Sequence, residues 1–276
     1  MELLADNVAM LDLDAGTLGA SRRDRGAAVL RCFAEEEAAK VMILLDLARA
    51  GWKDHAAVKA CLRNFYAHLA RGLYIRAYDG SPADLAEVRQ YLDHLRQQYY
   101  LDGPMEVDWI FGNEVSTSRE ERLYVDYIED EDGDRRWTGP ADRAAELDAP
   151  FDFPAPQSTV VRLVASMHRI GLLTEEGLAA TRDVWDGIAV DDTMHWSNLQ
   201  PLNVAVIETL AANGRQYSTA EDREAVRCVL EHWSFPLTSL DLTLAKVELS
   251  DLKRERARWL AHEAGVVDGL EGDYSD

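Results

Sequence analysis

Cysteine is scarce in this sequence, and the few that occur are not grouped. Cys32, Cys61 and Cys228 are scattered with no CxxC pair among them, so neither a disulfide framework nor a structural zinc site is expected. Cys32 and Cys61 sit among apolar neighbours and read as buried, reduced thiols. There is no run of about 18 apolar residues, which leaves no segment to form a membrane-spanning helix. The opening MELLADNVAMLDLD is acidic and amphipathic and lacks the basic and apolar regions of a signal peptide. The expectation is therefore a cytoplasmic protein with no membrane partner. The motifs GxxxxGK, GxGxxG and GxSxG are all missing, so ATP hydrolysis, dinucleotide chemistry and serine-esterase chemistry have no support and no cofactor is expected.

What is present is enough apolar material for a sizeable core, since 47% of the 276 residues are hydrophobic. The net charge of −21 is unfavourable for binding nucleic acid, whose phosphates must be met by cations. That charge is unevenly placed. Residues 1–100 hold 13 Lys and Arg against 14 Asp and Glu, whereas residues 101–276 hold 16 against 36. A site for a polyanion is expected in the first hundred residues, where the local field does not oppose it.

Helical periodicity fills the N-terminal part. Leu4, Val8 and Leu11 mark one stripe, and Val29, Phe33, Val41, Leu44, Leu45 and Ala48 mark a longer one ended by Gly51. A third pattern predicts one unbroken helix from about Asp54 to Arg76, with Val58, Leu62, Phe65, Leu69 and Leu73 on one side. After the turn AYDGSPAD, a fourth helix is predicted from about Ala83 to Tyr100. RLYVDYIEDEDGDRRWTGP (122–140) reads as a short hairpin or ordered loop around an Asp-Gly turn, and APFDFPAPQ (149–157) as a linker. Helical patterns return at about 157–171, 174–186, 198–212, 219–233 and 237–264.

Within AVLRCFAEEEAAKVMILLDLARAG (28–51), Glu36 and Lys40 lie one turn apart and form an expected surface pair. Glu37 is four residues from both Phe33 and Val41, on the apolar stripe, where a carboxylate needs a cationic partner. This segment follows LLADNVAML and precedes DHAAVK (54–59) and REERLYVDYIEDEDG (119–133). That succession resembles the AbiV-type abortive-infection proteins of the HEPN superfamily over about residues 3–140. The resemblance implies a mainly α HEPN-like helical bundle with a small β-hairpin or loop insertion and additional C-terminal helices. On this reading residues 1–148 form the HEPN/AbiV-like domain, with the hairpin at about 122–138. Residues 157–268 form a C-terminal helical region, packed on the first as one globule or apart from it, and 269–276 a disordered tail.

Many HEPN proteins are metal-independent ribonucleases that use an arginine and a histidine separated by four to six residues, often at a homodimer interface. The chemistry fits those residue types. A histidine titrating near neutrality exchanges a proton with the ribose 2′-OH or the leaving 5′-oxygen, and an arginine stabilises charge gathering on phosphorus. Bare spacing is a weak signal, because six pairs satisfy it: Arg49/His55, Arg63/His68, Arg89/His94, Arg162/His168, Arg227/His232 and Arg256/His262. RNFYAH (63–68) stands apart, with the polar Asn64 directly after its arginine and a place in the charge-balanced region. The expected catalytic residues are therefore Arg63 and His68, oriented by Asn64. Glu36, Glu37, Lys40, His55 and Lys59 are expected to support the site or bind phosphate or carboxylate. In a continuous helix, residues five apart lie about 140° apart around the axis, which sets Arg63 and His68 on different sides.

Two weaker constellations complete the reading. Asp191, Asp192 and His195 of DDTMHW offer metal-ligand types, yet no further ligand stands at recognisable spacing, so a turn with an aromatic anchor is expected. EDEDGD (129–134) lacks the spacing and closing glutamate of a calcium loop. Two functions from different classes remain open: an antiphage ribonuclease with RNA as substrate, or a non-catalytic protein that senses or sequesters a phage protein.

Overall fold

A computed structural model describes residues 1–101, 110–129, 135–140 and 157–246, with isolated positions at 248, 250, 251, 254 and 257. The protein is mainly helical. The longest helix, α2 (Asp24–Ala50), follows α1 (Glu2–Ala20) and occupies the centre. Its alanines 34, 38 and 39 and its Val41, Met42, Ile43, Leu45 and Leu47 are all buried, covering more than one face. A helix apolar on several sides must be surrounded, and α2 is. It packs against α1, α3 (His55–Tyr66), α4 (His68–Ala77), α6 (Glu114–Leu123), α7 (Thr159–Arg169) and α8 (Glu175–Trp185). Gly51 ends it at φ 74°, a backbone region that favours glycine.

The expected unbroken helix from Asp54 to Arg76 is in fact two. The Asp54 carboxylate caps α3 by accepting from Ala56 N and Ala57 N at 2.9 and 3.2 Å. The helix then stops at Tyr66, because Ala67 is extended (φ −89°, ψ 120°), and α4 starts at His68. No glycine or proline marks this break. Local hydrogen bonds satisfy the ends it leaves: Arg71 Nη2 donates to the freed Tyr66 carbonyl at 3.3 Å, and Ala67 N donates to Asn64 O at 3.2 Å. The buried face of α3 also differs from the predicted one. Ala57, Cys61 and Asn64 point inward, Val58 and Phe65 are partly buried, and Leu62 is exposed.

The fourth helix is shorter than expected. Asp84 caps α5 (Leu85–Leu95), reciprocated by Glu87, whose carboxylate accepts from Ala83 N. The following residues leave the helix because backbone groups pair elsewhere: Gln98 N donates to Ala245 O, and β1 (Tyr99–Leu101) pairs antiparallel with β2 (Ile110–Gly112). The hairpin read at 122–138 is present as β3 (Asp126–Glu129) and β4 (Arg135–Thr138), with Tyr127 opposite Trp137. Its Asp-Gly turn, most of the 149–157 linker and the 269–276 tail lie outside the described residues.

Beyond α7 and α8 come α9 (Trp196–Ala212) and α10 (Ala220–His232), close to the predicted limits. The predicted helix from 237 does not begin there. Leu237 N is held by the Asp46 carboxylate at 2.8 Å, and the chain then runs non-helical past Asp241 and Thr243 to Ala245, whose N–H donates to Arg96 O. Residues from both ends of the sequence join one apolar core, which includes Ala5 and Val8, the inner face of α2, Leu163, Trp233 and Leu242.

Candidate functional site

Three elements meet at one carboxylate. Glu36, in the middle of α2, is only 5% exposed. An ionised carboxylate there needs cationic partners, and it has them. Arg71 Nη1 of α4 lies 2.9 Å from Oε2, and Arg119 Nε of α6 lies 2.5 Å from Oε1. His68 Nδ1, at the first residue of α4, sits 3.0 and 3.1 Å from the two carboxylate oxygens. Arg71 Nη2 also approaches His68 Nδ1, at 3.3 Å. A guanidinium only donates and a carboxylate only accepts, so Nδ1 donates to Glu36 in the tautomer that places its hydrogen there, which leaves Nε2 facing outward.

The sequence places these groups by simple means. His68 and Arg71 are three residues apart, hence on one face of α4. The break at Ala67 turns that face towards α2. Glu36 projects from α2 between alanines 34, 38 and 39, whose small side chains let neighbours approach. Gly72 performs the same service between α4 and α6, because a Cβ there would collide with Val115 Cγ1.

The cluster borders a cleft of about 250 Å³ lined by Cys32, Glu35, Glu36, His68, Gly72, Ile75, Arg76, Asp79, Val115, Ser116, Arg119, Glu120 and Ser158. That is just below the roughly 300–1,000 Å³ of pockets that enclose drug-sized ligands, and it suits a group the size of a phosphodiester linkage. The His68 side chain is 54% exposed, so its ring is open to a ligand while Nδ1 stays anchored. Two guanidinia against one carboxylate leave the inner cluster net positive. Glu35, Asp79 and Glu120 on the rim offset part of that charge. Burial also pushes the Asp79 carboxyl upward, against the lowering effect of Arg76.

Of the residues singled out from sequence, Glu36 and His68 are brought together. Arg63 lies exposed on α3, outside the residues lining the cleft, and its positive charge helps lower the Asp241 carboxyl, behind the larger effects of the Thr243 hydroxyl and backbone and of Arg96. Asn64 is buried, and its Oδ1 has no hydrogen-bond partner among the described residues. The predicted Glu36–Lys40 pair is replaced, since Lys40 pairs with Glu37 and stands 5.6 Å from the centre of the Phe65 ring. Glu37 is thus the partly buried acid with a lysine, and its neighbour Glu36 is the deeply buried one. His55 and Lys59 are exposed on the outer face of α3. The two arginines of the cluster were missed. Arg71 carried a usable signal in its spacing from His68, and Arg119 opens the REERLYVDY segment, but nothing local ties residue 119 to residue 36.

The other motifs resolve into structural roles. Asp191 accepts from Thr193 N and Oγ1, Asp192 pairs with Arg89 at 2.9 Å, and His195 lies 3.8 Å from Asp84. Among the described residues, no group of three or more His, Cys, Asp or Glu is placed to hold a metal ion. Arg162 faces His232 at 2.9 Å rather than its sequence neighbour His168, which approaches Asp6 at 3.8 Å.

A second buried charged network lies deeper. Asp46 accepts from Tyr74 OH at 2.9 Å and from Leu237 N, with Arg49 Nη1 at 3.4 Å. Burial pushes the Asp46 carboxyl up to about 6, against the lowering effects of Arg49, the Leu237 N–H and Tyr74. The Arg49 guanidinium lies between the rings of Trp185 and Trp233, at 4.6 and 4.0 Å, and donates to Ser234 O and Asn203 Oδ1. This network is sealed from solvent and ties α2 to the C-terminal segment, so it holds the fold together. Comparison of the chain with known protein families, with curated proteins and with solved structures finds no match to any of them.

Proposed function

We propose that the protein is an endoribonuclease of antiphage defence that cleaves RNA through the substrate's own 2′-OH and needs no metal ion. The observation that carries this reading is the exposed His68 imidazole, anchored at Nδ1 by a buried carboxylate and flanked by two arginines at the mouth of a cleft. His68 Nε2 takes the proton from the 2′-OH, which attacks the adjacent phosphorus. The P–O2′ bond forms, the P–O5′ bond breaks, and the imidazolium returns the proton to the departing 5′-oxygen, leaving a 2′,3′-cyclic phosphate and a 5′-hydroxyl. Glu36 stabilises the imidazolium while it carries that proton, and Arg71 and Arg119 offset charge on the pentacovalent centre.

The AbiV-like order of motifs within the HEPN superfamily supports the defence role, a cytoplasmic setting and a homodimer. Within this reading Arg63 and Asn64 move from catalysis to the neighbourhood of the site, and Arg71 takes the part expected of Arg63. The other function, a non-catalytic protein that binds a phage protein, is favoured by the acidic rim of the cleft and the net charge of −21.

Incubating purified chain with a single-stranded RNA separates the two. Cleavage to cyclic-phosphate ends is expected, with a loss of at least about 100-fold in His68→Ala, the scale of a general acid–base contribution. His68 also contacts the buried Glu36, so cleavage is compared at a temperature where thermal unfolding shows the variant still folded. Undiminished cleavage by His68→Ala, or none by the parent chain, leaves the binding function.

A further inference from the structure

The outer face of α3 combines cations with exposed apolar and aromatic side chains. His55, Lys59, Leu62, Arg63 and Tyr66 recur at three- and four-residue intervals, hence along one side of the helix, and all are exposed. Tyr66 is 77% and Leu62 51% exposed, and Trp52, in the turn before the helix, is 63% exposed. Between Trp52 and Tyr66 there are three cations, Lys53, Lys59 and Arg63, against one acid, Asp54, although Lys53 approaches Asp186 at 3.9 Å and Arg63 acts on Asp241. That acid is engaged as the cap of α3. Lys59 makes no ion pair among the described residues. The opposite face, Ala57, Cys61 and Asn64, is the buried one, so the stripe is not a by-product of packing.

We infer that this stripe binds single-stranded RNA and leads it to the cleft at His68, an inference that rests on the ribonuclease reading. Alternating cations and exposed aromatic rings are what an unpaired strand requires: cations meet the phosphates, and rings accept unstacked bases irrespective of sequence. From His55 to Tyr66 the helix extends about 16 Å, enough for a few nucleotides. Tyr66 is two residues from His68, so their Cα atoms are within about 7 Å, and the Tyr66 carbonyl is already held by Arg71 of the catalytic cluster. A base on Tyr66 therefore places the next phosphodiester beside the imidazole. Arg63, one turn before the break, meets a phosphate in this arrangement.

The test is binding of 5′-fluorescein decauridylate, followed by anisotropy, to the full chain carrying His68→Ala so that the RNA is not consumed. Tyr66→Ala should weaken binding about tenfold, which corresponds to about 1.4 kcal/mol, within the usual range for one stacked base. Lys59→Ser with Arg63→Ser should weaken it and lower the slope of log affinity against log salt by about 1.4, or about 0.7 for each phosphate no longer met by a cation. These side chains are exposed, and an unchanged thermal midpoint shows that the fold is kept. No binding by the parent, equal binding by the stripe variants, or an equally tight duplex RNA insensitive to Tyr66→Ala would each overturn the inference. So would an oligoglutamate peptide that binds as tightly and ignores Tyr66→Ala, which would assign the stripe to an acidic protein. Cleavage by the wild-type chain, read separately, decides the ribonuclease itself: stripe-dependent binding without cleavage removes the enzyme and keeps the stripe, and cleavage with stripe-independent binding does the reverse.

Discussion

At the scale of single residues, the two buried acids of α2 show how differently a carboxylate is used along one helix. Glu36 is held by three cationic or proton-bearing groups and faces a cleft, whereas Asp46 is sealed in and pushed up to about 6 by burial. The sign of the second effect is definite. The unfolded chain releases the Asp46 proton near 3.8 and the folded one near 6, so the folded state binds more protons between those values. Its contribution to stability is therefore full below about pH 3.8 and is lost as pH rises through 6. Asp46→Asn removes this titration. In urea unfolding, wild-type stability measured relative to Asp46→Asn should fall by roughly 2 kcal/mol between pH 4 and pH 6, or about 1 kcal/mol per pH unit. Parallel curves for the two proteins would show that Asp46 keeps an ordinary carboxyl in the fold.

At the scale of elements, the site depends on where one helix stops and how closely another approaches. Most of the helices were legible, because their apolar periods, the turn before Asp84 and Gly51 are local signals. However, α6, which carries Arg119, was not expected, and the helix expected from 237 does not begin there. The hairpin was legible too, from its aromatic and β-branched residues around Asp-Gly. The break at Ala67 was not, since Leu69 and Leu73 continue an apolar stripe and no residue there disfavours helix. The contacts that hold it are Arg71 on the Tyr66 carbonyl, within the segment, and Glu36 of α2 on His68, outside it. For the same reason His68 and Glu36 were each noticed singly, while their meeting, and the parts of Arg71 and Arg119, depend on contacts between elements that a linear pattern does not encode. Gly72 gives a handle on this geometry. Gly72→Ala should force α4 and α6 apart at Val115, costing about 1–3 kcal/mol in chemical denaturation as an overpacked contact does. Because α6 carries Arg119, RNA cleavage should fall further than stability loss alone explains, at a temperature where the variant is still folded. A variant of unchanged stability would mean that the two helices do not meet through this glycine.

For the molecule as a whole, charge makes two opposed demands that one variable separates. The net charge of −21 makes the folded chain repel itself, most strongly where counterions are scarce. Raising salt from about 10 mM to 150 mM shortens the screening length from about 30 Å to 8 Å, so repulsion between distant acids fades. The buried Asp46–Arg49 and Glu36–Arg71 pairs are shielded from solvent and are screened far less. The thermal midpoint should accordingly rise over this range, as differential scanning calorimetry would show. On the proposed reading RNA binding should weaken over the same range, because phosphate contacts made by the stripe on α3 would release counterions on binding. A midpoint that falls with salt would mean that exposed ion pairs, such as Arg169–Asp222 and Arg96–Asp241, outweigh the overall repulsion. The acidic excess of residues 101–276 would then be locally neutralised, rather than a field that confines a polyanion to the charge-balanced first hundred residues.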